Sequence, residues 1–365
     1  MSNTESRIKA NKINAGNFFE DFHLNQVIQH ATPRTIAEGE MALYIALTGA
    51  RQVLHSADTV AQSLGYNARP VDDLLAFHIA FGKTVPDISV NAVANLGYAD
   101  VRFLQPVHIG DTLSTSSTVI GLKQNSNGKS GVVYVRSVSI NQLQQPVLSW
   151  MRWVMVHKNN LDAPAPKTVV PNLPSHVPAE ELSVPNFLDA RKFNTAVTGG
   201  QYLWDDYAVG ERINHPAGMT ISDTDHTLAT KLYQNNARLH FDDAMMKKTA
   251  FGRRLIYGGH IISLCRALSN DGLENALCIV AINGGTHCNP SFGDDTIYTW
   301  TEVLDKWDVP NRSDVGALRL RMIGVKNMPA DSLKSAYIST DGKQPYHPNV
   351  VLDLDYTVLM PRKQN

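Results

Sequence analysis

Cysteine is scarce in this chain, with three in 365 residues. Cys265, Cys278 and Cys288 are odd in number and lack CxxC spacing, which argues against a disulfide framework and against a zinc site. They read as reduced and mostly buried. An excess of one charge is also missing: 33 lysines and arginines face 34 aspartates and glutamates, a net −1. Nothing in that balance draws the chain to nucleic acid or to an anionic membrane surface. No apolar run approaches a membrane span, and the N-terminal "MSNTESRIKANKINAGNFFEDF" has no apolar core of the kind a signal peptide needs. A cytoplasmic protein is expected. Glycine-rich phosphate loops, a Ser/His/Asp order and nucleotide fingerprints are absent as coherent patterns, and "INGG", Ile282 to Gly285, is too weak to count.

What is present is a large core in duplicate. Apolar residues make up 43% and charged residues 18%, the balance of an ordinary globular protein. A chain of this length exceeds what one core usually serves, so two halves are expected. Self-comparison finds them. Phe18 to Glu40, "FFEDFHLNQVIQHATPRTIAEGE", lies without a gap over Leu203 to Asp225, "LWDDYAVGERINHPAGMTISDTD", an offset of 185. "PVHIGDTL", Pro106 to Leu113, lies over "PSFGDDTI", Pro290 to Ile297. "SWMRWVMVHK", Ser149 to Lys158, and "DYTVLMPRK", Asp355 to Lys363, end the two copies alike. Between them six of the eighteen prolines fall from Pro164 to Pro185, a density that favours an extended connector. The expected division is a tail over 1–16, a unit over 17–158, a connector over 159–200 and a second unit over 201–365.

Within each half, "PVDDLLAFHIAFGKTV", Pro70 to Val85, and "YGGHIISLCRALSNDGL", Tyr257 to Leu273, are nearly continuous apolar stretches of helical length. The second closes with glycine past its end. "ALRLRM", Ala317 to Met322, and "VVLDLDYTVLM", Val350 to Met360, alternate with period two, as half-buried antiparallel strands do. One buried helix wrapped by an antiparallel sheet, twice over, is an α+β arrangement.

"VRFLQPVHIGDTLSTSSTVIGL", Val101 to Leu122, and its second copy "NPSFGDDTIYTWTEVL", Asn289 to Leu304, resemble the strand and turn of MaoC-type dehydratases. The likeness covers the chain from about Asn17. It implies a double hot-dog fold, each half a long central helix rolled in a sheet, and reversible removal of water from a β-hydroxyacyl-CoA without metal or redox cofactor. Within the family the chain looks most like members whose acyl group carries a free carboxylate. A homodimer is implied too, and exposed sheet edges favour one.

Hydrating an enoyl thioester needs a base for water, an acid for the carbon next to the thioester, and donors to its oxygen. Related hydratases carry DxNP(L/I/V)H, in which aspartate and histidine grip the water. The matching stretch here is "NNARLH", Asn235 to His240. Asn235 stands where the aspartate is expected, and an amide can hold a water but cannot accept its proton. His240, with an unperturbed pKa of ~6.5, is then expected to do the acid/base work. Asn235 would orient water, and the missing carboxylate could come from Asp242, Asp243, Asp72 or Asp73. In the first copy His55 repeats His240 but Ala50 stands at the place of Asn235, so that half is expected to form a wall and not a second site.

"YGGH", Tyr257 to His260, opens the second helix, where unpaired N–H groups and the dipole favour developing negative charge. The resemblance makes Gly258 the oxyanion donor, with Gly259 and Tyr257 beside the substrate. Two glycines also permit plain tight packing. For the substrate carboxylate the candidates are Arg238, two residues from His240, and Arg253 and Arg254, either of which could instead reach a CoA phosphate. Two alternatives stay open: a hydratase or thioesterase for another acyl-CoA, and a non-catalytic acyl-CoA-binding module that has lost its base.

Overall fold

The computed structural model describes residues 12–338 and 343–364; most of the expected tail, residues 1–11, lies outside them. Both copies enter through the same one-turn lock. In Phe19–Asp21 the Asp21 carboxylate accepts the Phe18 N–H at 2.9 Å, and in Trp204–Asp206 the Asp206 carboxylate accepts the Leu203 N–H at 3.0 Å. The first half continues as β1 (Val27–Thr35), α1 (Glu38–Thr48), α2 (Val53–Ser56), α3 (Asp58–Ser63), α4 (Asp73–Ile88), β2 (Ala92–Phe103), β3 (Thr112–Gln124), β4 (Ser130–Ile140) and β5 (Pro146–His157). The second repeats that order with a 3-10 turn (Arg238–His240) in the place of α2: β6 (Arg212–Thr220), α5 (Asp223–Leu232), α6 (Asp243–Met246), α7 (Gly258–Leu268), β7 (Cys278–His287), β8 (Thr296–Asp308), β9 (Val315–Lys326) and β10 (Val350–Pro361).

All ten strands form one antiparallel sheet in the order β1-β3-β4-β5-β2-β7-β10-β9-β8-β6. Exchanging each strand for its repeat reads the same order backwards. The halves therefore meet at β2 and β7, where Tyr98 lies opposite Gly285 and Val101 opposite Ile282. The strands read from alternation at 317–322 and 350–360 fall inside β9 and β10.

The central helices pack on this sheet, α4 against β1, β3 and β5 and α7 against β6, β8, β9 and β10. α4 is buried along nearly its whole length, from Leu74 to Val85, and α7 from Gly259 to Leu268. A helix apolar on every face has to be enclosed. Burying Ile261, Ile262, Leu264 and Leu268 of α7 contributes ~2 kcal/mol apiece. α4 starts at Asp73 because the Asp72 side chain accepts from the Leu74 and Leu75 N–H groups. α7 stops at Leu268, earlier than its apolar run suggests. The Ser-Asn-Asp-Gly that follows is turn chemistry, with Gly272 at φ 93° and the Leu273 N–H bonded to the Asn270 carbonyl at 3.1 Å.

The proline-rich segment is extended and packed against both halves. Val169 pairs with Leu122 through two 2.8 Å bonds, Val177 donates to Asn283 Oδ1 at 2.9 Å, and Glu181 meets Arg102 at 2.6 Å. Leu188 and Ala190 are buried with Leu54 and Val280. All three cysteines are free thiols, Cys265 buried and the others half-buried. Among the described residues no helix is long and apolar enough to cross a membrane.

Candidate active site

The loop after α5 places two of the expected residues. The Asn235 N–H bonds back to the Thr230 carbonyl at 3.0 Å, and its side-chain Oδ1 accepts the Ala237 N–H at 3.1 Å. This is the self-bonded turn that asparagine favours. With Oδ1 accepting that bond, the side chain offers its Nδ2 donor, which has the Tyr257 hydroxyl as a neighbour. Helix α4 of the other half holds the loop in place: a Cβ on Gly82 would stand 1.9 Å from the Tyr233 carbonyl oxygen, and Lys83 Nζ donates to Gln234 Oε1 at 2.6 Å. Only glycine at that position lets the two backbones approach so closely.

Three residues on, a 3-10 turn, Arg238–His240, turns the imidazole inward. His240 Nδ1 lies 2.9 Å from the Leu255 carbonyl oxygen. A carbonyl can only accept, so Nδ1 carries the hydrogen and Nε2 keeps its lone pair. The ring lines a cavity of about 250 Å³ between the two halves. Burial holds His240 down at about 4, so the ring is a neutral base at physiological pH. Because the base must be neutral to accept a proton, kcat/KM should stay level from pH 8 to roughly pH 5 and fall only as pH approaches 4. An acid limb near the ordinary value of ~6.5 would show that burial does not set this titration.

The N-terminus of α7 enters the same cavity. Its start is fixed by His226, whose Nε2 accepts the Tyr257 N–H at 2.9 Å, and burial keeps that ring neutral, at about 2. Gly258 follows as the first helical residue, whose N–H has no partner within the helix. A Cβ on Gly258 would lie 2.3 Å from His287 Cε1, so the imidazole packs directly on the backbone there. His287 is itself bonded through Nε2 to the Tyr98 hydroxyl at 3.0 Å, and burial, then the neighbouring His240, push it down to about 4. Tyr257 stacks edge-on to His240 at 5.5 Å and completes that wall.

The opposite wall comes from the first half: Phe81 and Val85 of α4, Asn95 and Tyr98 of β2, and Arg152 of β5. Arg152 is 1% exposed. Its Nη2 donates to Thr84 Oγ1 at 2.8 Å and its Cζ lies 4.3 Å from the Phe81 ring centre, while Nε and Nη1 have no partner among the described residues. No aspartate or glutamate is among the cavity's lining residues.

A family model for mesaconyl-CoA hydratase matches residues 3–332. The chain belongs to the mesaconyl-CoA hydratase family. It is 57% identical to β-methylmalyl-CoA dehydratase of Chloroflexus aurantiacus, over 96% of this chain and 99% of the relative. It is 53% identical to mesaconyl-CoA hydratase of Cereibacter sphaeroides, over 96% of this chain and all of the relative. Among solved structures, a MaoC domain protein from Chloroflexus aurantiacus superposes with a TM-score of 0.94 at 57% identity, covering 97% of this chain and 100% of that one. A Mycobacterium tuberculosis protein described as a double hot-dog, at 23% identity and a TM-score of 0.74 over 95% of this chain and 99% of that one, shares the fold.

In this member of the mesaconyl-CoA hydratase family, His240, Asn235, Gly258 and Tyr257 meet at one cavity. The other expected contacts lie elsewhere. Arg238 turns outward on the 3-10 turn, its side chain 61% exposed and bonded to Asp242 at 2.7 and 3.1 Å. Arg253 donates to the Gly293 carbonyl at 2.7 Å, and Arg254 to Thr227 Oγ1 at 2.7 Å with Asp223 3.3 Å away. None of these three lines the cavity. Gly259 faces away as well, packed so that a Cβ would meet Tyr257 at 2.4 Å and His78 at 2.7 Å. The carboxylate candidates are spoken for: Asp242 caps α6, Asp243 pairs with Lys247, Asp72 caps α4 and Asp73 binds His55.

His287, Tyr98, Asn95 and Arg152 were not anticipated. Arg152 had a visible signal, a single charge within the apolar "SWMRWVMV". His287 stands two residues before "NPSFGDD" and carries no repeat signature.

In the first half the equivalent position is filled. His55 keeps the carbonyl contact of its counterpart, Nδ1 to the Pro70 carbonyl at 3.4 Å. Its Nε2, however, meets Asp73 Oδ2 at 3.2 Å, and Asp73 stands at the repeat position of Gly258. The same carboxylate accepts the Ile279 N–H at 2.7 Å. Burial opposes charge on His55, but Asp73 outweighs it and holds the ring up at about 9. The cavities that remain there measure about 10 and 30 Å³. That is room for a water or two and not for an acyl chain.

Proposed function

We propose that this chain reversibly hydrates mesaconyl-CoA to β-methylmalyl-CoA, the second half supplying the chemistry and the first half the facing wall. The observation that carries the reading is the fixed tautomer of His240, a bare Nε2 beside a helix N-terminus in a cavity without carboxylates. In the dehydration direction the C–H bond next to the thioester and the C–O bond of the neighbouring carbon break, a C=C bond forms and water leaves. His240 Nε2 takes the proton and returns it to the departing hydroxide. Asn235 Nδ2 holds the leaving oxygen, and the Gly258 N–H meets the thioester oxygen as it gains negative charge. A donor so placed typically contributes ~3 kcal/mol to the barrier. No step calls for a metal or redox cofactor.

The CoA portion would follow an open groove of about 730 Å³ that shares Asn235 with the cavity as a lining residue and carries Lys83 and Lys231. The outermost strands β1 and β6 leave two sheet edges on which a second copy could dock, and a cytoplasmic homodimer fits the acyl-CoA substrate. The test is an assay of the purified protein with mesaconyl-CoA. Loss of enoyl-thioester absorbance without free thiol is expected. Release of free thiol would mean a thioesterase, and tight binding without turnover would mean a binding module.

A further inference from the structure

We propose that Arg152, with Asn95 beside it, is the site that receives the free carboxylate of the acyl chain and so selects dicarboxylic over plain acyl thioesters. This rests on the hydratase reading above for the identity of the reaction, but not for the binding it predicts. Arg152 and Tyr98 are directly opposite on β5 and β2, so their side chains share the face that looks into the cavity. The Tyr98 hydroxyl is taken by His287. What is left unpaired in this part of the wall is Nε and Nη1 of Arg152 and both side-chain atoms of Asn95.

A buried guanidinium without an anion is costly, because it has lost water and gained no counter-charge. The half-buried Arg312, Arg319 and Arg321 each lie on a carboxylate, at 2.7, 2.6 and 2.7 Å. Arg266, the other arginine buried this deeply among the described residues, has Asp72 within electrostatic reach. Among the described residues the groups that act on Arg152 are the Tyr98 and Tyr257 hydroxyls and the bonded Thr84 Oγ1, none of them a carboxylate, and the guanidinium remains charged at neutral pH with burial holding it at about 10. An incoming carboxylate satisfies this group: two oxygens accept from the paired guanidinium donors, and the Asn95 amide supplies another N–H. Because His240 and Gly258 line the same cavity, the carboxylate would be held while the thioester end meets the helix N-terminus.

The experiment compares two unreactive four-carbon thioesters, succinyl-CoA and butyryl-CoA, by calorimetric titration of the wild type and of Arg152→Met. These ligands differ in the terminal carboxylate and need no turnover. The wild type should bind succinyl-CoA the more tightly, and Arg152→Met should lose about 30-fold or more of that affinity while butyryl-CoA changes little. Equal loss on both ligands, or no loss on either, overturns the assignment. Folding separates a structural role: Arg152→Met removes a buried unpaired charge, so Tm should hold or rise, whereas a structural tie would lower it. Arg152→Lys, which keeps charge but not the paired donors, should recover only part of the preference. Wild-type turnover of mesaconyl-CoA, measured alongside, tests the reaction separately; its failure would leave the succinyl preference standing.

Discussion

Replacing His240 with alanine should lower turnover of mesaconyl-CoA by about 10³-fold, the middle of the range for removing a positioned acid/base group. The ring is a neutral imidazole that the Leu255 carbonyl orients, and among the described residues no aspartate or glutamate lines the cavity to take its place as a base. Asn235→Asp should behave quite differently and keep substantial activity. Aspartate retains the Oδ1 that accepts the Ala237 N–H, so the loop keeps its shape. A carboxylate beside His240 would favour the imidazolium, so the acid limb of kcat/KM should move upward from about 4. Near-normal turnover in His240→Ala would remove the base assignment. An inactive but folded Asn235→Asp would show that the amide's donor is indispensable.

Gly258→Ala is the second large effect, with an expected loss of about 10²–10³ in kcat. The substitution keeps the backbone N–H, so chemistry alone would not forbid it. Space does: the new Cβ would sit 2.3 Å from His287 Cε1. Either the ring moves and takes the Tyr98 hydroxyl with it, or the helix start shifts and the N–H no longer points at the thioester oxygen. Such overpacking typically costs about 1–3 kcal/mol of stability as well, so Tm should be measured beside kcat to separate a displaced donor from a less stable fold. Unchanged kcat in this variant would rule out a donor held by that close packing.

Much of the frame was legible because it is written twice. A gapless offset with proline between the copies gives two related halves, and apolar stretches followed by alternating strands give a helix on an antiparallel sheet. That β2 would pair with β7 to make one sheet was not legible, since local pattern carries no information about which edges meet. Spacing and resemblance singled out His240 and Asn235, and both line the cavity. The direction of Arg238 could not be read, because a 3-10 turn sends neighbours to different sides within two residues. Arg152 is 83 residues earlier than Asn235 in the chain, and its role depends on strand pairing and on the absence of an acid nearby. Both are properties of the folded molecule.

The contrast between Asp73 and Gly258 bears on why the two copies share one polypeptide. Two identical chains related by a dyad must carry the same residue at both equivalent positions. A glycine in both would leave two open sites, and an aspartate in both would close two. Joined end to end, the copies were free to diverge. One could take on an internal carboxylate and become a permanent support for the other's loop through Gly82 and Lys83. Covalent linkage then guarantees that each open site is always assembled with a closed partner, at any protein concentration.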